Sequence, residues 1–107
     1  MTSLPRPPKI FSLEGEIDLH VAPEISAALT KMIAEQPVRV VVDLSKVNYI
    51  DSSGLAALIT AAQNVELYGG RLMLTGVQQG VRAILENASL DQFFLIFPHV
   101  DAALAAT

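Results

Sequence analysis

The residues of this chain best placed to do chemistry lie in one stretch, where Asp43-Leu44 closes an apolar run and Asp51-Ser52-Ser53-Gly54-Leu55 opens an amphipathic one. A strand ending and a helix beginning there would leave the backbone N–H groups of the first helical turn without partners. Asp51 or Ser52 can cap them, Gly54 permits close approach, and the positive end of the helix dipole favours an anion. Two readings follow. Either Asp51-Ser52-Ser53 is a helix cap and nothing more, or one of its hydroxyls is exposed where a phosphate is tolerated.

Other chemistry has less to work with. Neither Ser52 nor Ser53 has both flanking glycines of a nucleophile elbow. His20 and His99 are the only imidazoles in the sequence, and both read as surface loop residues rather than bases. Glu14, Glu16 and Asp18 alternate along one strand face, which is explained by solvation more simply than by a metal or acid/base cluster. The absence of cysteine excludes a thiol nucleophile, a thiolate zinc site and a disulfide scaffold. Neither a Walker-type loop nor a dinucleotide fingerprint is present. No catalytic residue, metal or cofactor is expected.

The elements that must position these residues follow from periodicity. Residues 1–8 hold three of the six prolines and read as a disordered or extended lead-in, with one domain over 9–107. Alternation from Phe11 to Leu19 predicts a strand with one buried face. Pro23 suits a first helical turn, and Ile25, Ala28, Leu29, Met32 and Ile33 follow helical spacing, with Pro37 beyond the end. Val38 to Leu44 reads as a central strand covered on both faces, followed by a turn at Ser45 to Tyr49. Leu55, Leu58, Ile59, Ala62 and Val65 predict a second helix that stops at Gly69-Gly70. A strand at Arg71 to Thr75, a helix through Val81 and Leu85, a short strand at Phe94 to Phe97 and a terminal helix through Val100 and Leu104 complete the order. Strands alternating with helices imply an α/β fold with a mixed, mostly parallel sheet.

The chain is 107 residues long, 51% hydrophobic and 17% charged, with a formal net charge of −4, which suits a packed domain and disfavours nucleic acid and anionic membrane surfaces. Neither a membrane span nor the apolar core of a signal peptide is visible, so a cytoplasmic location is the expectation. One helix face also bears on partners. Opposite the apolar stripe of the second helix stand Ser53, Ala56, Ala57, Thr60, Ala61 and Asn64, small and uncharged. Such a face admits a partner closely, or its alanines merely favour helix formation.

The stretch Val40 to Leu55, with its Asp51-Ser52-Ser53-Gly54-Leu55 core, resembles the signature of the STAS domain family and specifically of bacterial anti-sigma factor antagonists. Gly15-Glu16-Ile17-Asp18, Gly70-Arg71-Leu72 and Val81-Arg82-Ala83-Ile84-Leu85 fall in the family's order, and the likeness runs from about residue 9 to 105. The resemblance implies a non-enzymatic switch. Ser52 would be phosphorylated by a serine kinase that is also an anti-sigma factor, and a serine/threonine phosphatase would restore the hydroxyl. The unmodified form would bind the kinase and free a sigma factor. Asp51 would shape the phosphorylation loop, Asp18 would lie on the facing loop, and Ser53, Gly54, Ala56, Ala57, Thr60 and Ala61 would contribute to partner binding. Family members commonly have a strand before the one at Phe11 to Leu19, which here is expected to be absent. The exposed edge that this leaves could be covered in a weak homodimer. The alternative implied by the same family is an unphosphorylated scaffold subunit of a lipid-transport ATPase complex.

Overall fold

The computed structural model describes residues 7–106, so most of the lead-in expected over 1–8, and any strand within it, lies outside the described residues. The elements run β1 (Lys9–Ile17), α1 (Ala22–Ile33), β2 (Arg39–Ile50), α2 (Ser52–Leu67), β3 (Arg71–Thr75), α3 (Gln79–Asn87), β4 (Leu95–Phe97) and α4 (Val100–Ala105). They form an α/β fold whose four strands lie in the order β1-β2-β3-β4. Among the described residues all three pairings are parallel, in keeping with the mostly parallel sheet expected. A helix lies between each strand and the next, so every strand restarts at the same edge of the sheet.

The centre of β2 is buried on both sides, with Val40, Val41 and Val42 all 0% exposed. On one face Val40, Val42 and Leu44 join Leu72 and Leu74 beneath Ile25, Leu29 and Ile33 of α1, Leu55, Leu58 and Val65 of α2, and Val81 and Leu85 of α3. On the other, Val41 and Met73 meet Ala103 of α4, flanked by Phe97, Val100 and Leu104. Each fully buried valine or leucine contributes about 1.5–3 kcal/mol. The Arg39 guanidinium donates to the Leu104 carbonyl at 2.6 Å, which ties the last turn of α4 back to the start of β2.

The turn expected at Ser45 to Tyr49 is instead a continuation of β2. Ser12 pairs with Asp43 but Glu14 with Lys46, and Gly15 pairs with Val47 but Glu16 with Tyr49, so β2 carries one extra residue at each of two bulges. Asp43 Oδ1 accepts the Ser45 N–H at 3.0 Å at the first of them. The bulges convert strand alternation into a spacing of three, and Leu44, Val47 and Ile50 are all buried. The extension has a consequence for the site: β2 ends beside the end of β1, where α2 begins.

β1 also ends earlier than the alternation predicts. It stops at Ile17, and Leu19, placed by alternation on the buried face, is 66% exposed. The Asp18 carboxylate accepts the His20 N–H at 3.0 Å, closing a turn that takes the chain out of the sheet. The Asp18 carbonyl then accepts the N–H groups of Val21 and Ala22 as α1 starts.

Candidate functional site

Three segments converge at the first turn of α2. The backbone N–H of Asp51 donates to the carbonyl of Ile17 at 3.0 Å, joining the ends of β1 and β2. Asp51 is the N-cap, in extended conformation, and its Oδ1 accepts the Gly54 N–H at 3.0 Å. Its Oδ2 accepts the Leu19 N–H at 3.1 Å. One carboxylate thus caps the helix and holds the loop after β1 against it.

Gly54 makes the close approach possible. A Cβ there would come within 2.7 Å of Ile17 Cγ2 and of Ile50 Cγ1. Gly54 is therefore buried beneath the helix start, where it lets α2 seat against Ile17 and Ile50, rather than at the surface with Ser52.

Ser52 is exposed, Ser53 half-buried, and no acidic side chain stands in the first turn of α2. Asp51 has committed its carboxylate oxygens to Gly54 and Leu19, and Ser52 stands beside it at the surface. A phosphate attached there would stand at the positive end of a helix of 16 residues, a position worth about 0.3–1 kcal/mol to an anion.

The helix face beyond the serines is only partly as expected. Ala56 and Thr60 are exposed and Ala57 is half-buried, but Ala61 is 4% exposed and belongs to the core. The reason is that α2 is covered on two sides, by the sheet and by α1, which packs against it. Its buried stripe includes Gly54, Leu58, Ala61 and Val65 as well as Leu55 and Ala62, wider than one apolar row. The surface residues brought together are Asp18, Leu19, Ser52, Ser53, Ala56, Ala57 and Thr60; Asp51 lies among them as the clamp. The tie between Asp51 and Leu19 was not visible in the sequence, because its partners are 32 residues apart.

Among the described residues no helix is long and apolar enough to cross a membrane. The family model described as "STAS domain" matches residues 2–103. The chain is 30% identical over 97 residues to the anti-sigma-F factor antagonist RsfB of Mycobacterium tuberculosis, covering 89% of this chain and 77% of that one. An anti-sigma factor antagonist from Mycobacterium paratuberculosis has a similar structure, with a TM-score of 0.80 and 29% identity over 89% of this chain and 80% of that one. A sulfate transporter family protein from Wolinella succinogenes superposes with a TM-score of 0.81 at 26% identity, covering 97% and 87% of the two chains.

Proposed function

Because this chain belongs to the STAS domain family and has relatives named anti-sigma factor antagonists, we propose that it is a protein-binding switch controlled by phosphorylation of Ser52. In its unmodified form it binds an anti-sigma factor that is also a serine kinase, and a sigma factor is released. Phosphorylation of Ser52 ends the binding, and a serine/threonine phosphatase restores it. The chain itself catalyses nothing; nucleotide and metal belong to its partners, and the setting is cytoplasmic.

The observation that carries this reading is the exposed Ser52 hydroxyl at the first position of α2, beside a carboxylate already engaged by two backbone amides. A phosphate adds about 1.5 to 2 negative charges there. Within the chain it is tolerated by the helix end. At a closely packed interface it brings a strongly hydrated dianion into contact with surfaces shaped for a hydroxyl. A differential of about 3 kcal/mol weakens binding more than a hundredfold. Refolding of the domain is not required.

Intact-mass analysis after incubation with the cognate anti-sigma kinase and ATP should show an adduct of about 80 Da, absent in Ser52→Ala. No adduct, or one that persists in Ser52→Ala, would sink the assignment. The likeness to a sulfate transporter family protein favours a second reading, in which the domain is a scaffold within a transporter such as a lipid-transport ATPase complex. Under it Ser52→Ala retains full transport function and the chain co-purifies with the transporter.

A further inference from the structure

Leu19 is an apolar side chain held at the surface by design of the backbone around it. Its N–H is bound by Asp51 Oδ2 at 3.1 Å, the turn that carries it is closed by Asp18 Oδ1 on His20 N–H at 3.0 Å, and the preceding Ile17 carbonyl takes the Asp51 N–H at 3.0 Å. The side chain is 66% exposed on this braced turn, next to the residue that precedes Ser52. An apolar group fixed in this way loses little freedom on association, which is the property of a binding anchor.

The surroundings state the chemistry of what it meets. From Ile10 to Thr30 and from Val47 to Gly70 the sequence holds no lysine or arginine. Glu16 and Glu24 are exposed and Asp18 half-buried in the same segments, and Glu14 is opposed by Lys46 in the register with β2. Within five residues of Leu19 the charged side chains, Glu14, Glu16, Asp18 and Glu24, are thus all acidic.

Resting on the switch reading above, we propose that Leu19 is the anchor of the partner interface and that the partner, the anti-sigma kinase, receives it in an apolar hollow bordered by basic residues. The arrangement accounts for the sign of the switch. A basic border alone would attract a phosphate on Ser52. An apolar hollow seated over Leu19 cannot close unless that phosphate sheds its water, and stripping a dianion of its hydration outweighs the attraction of a solvent-exposed rim.

The test measures the affinity of the anti-sigma kinase for the unmodified and the Ser52-phosphorylated full chain, in wild type, Leu19→Ser and Leu67→Ser. Leu67 is 85% exposed at the far end of α2 and serves as the control. Leu19→Ser should weaken the unmodified complex about 30-fold, the loss seen on truncating an interface anchor, and should shrink the discrimination against the phosphorylated form. Leu67→Ser should behave as wild type, and all three proteins should melt alike. Binding of Leu19→Ser within about twofold of wild type, or unchanged discrimination, overturns the proposal while leaving the switch intact. Failure of the kinase to bind or modify the wild-type chain removes the switch reading, and the proposal with it.

Discussion

At its first turn α2 is held by the Asp51 carboxylate, which joins the helix to the loop after β1; at its last turn it is held by Tyr68 and Gly70, which join it to the segment before β2 and to its own preceding turn. The Tyr68 hydroxyl donates to the Pro37 carbonyl at 2.7 Å, and the Gly70 N–H donates to Val65 at 3.0 Å after Gly69 takes a left-handed φ of 87°. Both ends expose a leucine, Leu19 beside one and Leu67 at the other. The charged residues nearest Leu19 in the sequence are acidic, whereas Arg71 follows the second end. Firm anchoring is thus common to both ends, and what separates them is an exposed hydroxyl joined to an apolar, anionic surround. The helix is anchored by the fold at both ends, and an exposed serine stands only at its start.

One of the two largest stability effects should come from Gly54→Ala. Alanine gains up to about 1 kcal/mol in helix propensity, while overpacking against Ile17 and Ile50 costs about 1–3 kcal/mol. The close contact should prevail, lowering the melting temperature by several degrees; a raised melting temperature would show that α2 is not seated by Gly54.

Asp51→Ala should cost about 1–2 kcal/mol, as removal of an N-cap does. Because the same carboxylate holds Leu19, the variant should also speed hydrogen exchange at two amides, Gly54 and Leu19. Faster exchange at Gly54 alone would separate the cap from the loop and weaken the contrast between the two ends.

The opposite end has its own signature in pH. Burial pushes the Tyr68 phenol above its ordinary value of 10.0. The protonated form is favoured in the folded state, so its contribution is full below the unfolded value and is lost as pH rises above it. Tyr68→Phe should cost about 1 kcal/mol at neutral pH through the lost hydrogen bond to Pro37. It should also flatten the decline in stability at alkaline pH, measured by denaturant titration across that range. The smallest stability effects belong to Leu67→Ser and Ser52→Ala, both expected within about 0.5 kcal/mol of wild type.

Much of this was legible in the sequence because the signals were local. β-Branched runs, helical spacing and Gly69-Gly70 mark the start of β2, β3, α1 and the end of α2 to within a few residues. The Asp-Ser-Ser-Gly order places the cap and the exposed serine. What escaped depends on pairing between distant segments. Two bulges give Leu44, Val47 and Ile50 a spacing of three, which has no strand signature and read as a turn. Leu19 obeys the alternation of its strand but is carried out of it by a side chain turning back on its own backbone at Asp18. Ala61 lay opposite the strongest apolar row, yet it is buried because α1 covers that flank, and a single helix does not announce its neighbour. The close approach expected at Gly54 is present, but its partners, Ile17 and Ile50, come from two different strand ends that the sequence does not bring together.

The central claim is that a phosphate on Ser52, and not a change of fold, decides whether the partner binds. It is tested most directly by calorimetric titration of the anti-sigma kinase with the unmodified and the Ser52-phosphorylated chain, each first shown by amide NMR to retain the same fold. The affinities should differ more than a hundredfold, about 3 kcal/mol, in favour of the unmodified form. Equal affinities, or tighter binding of the phosphorylated chain, would contradict it.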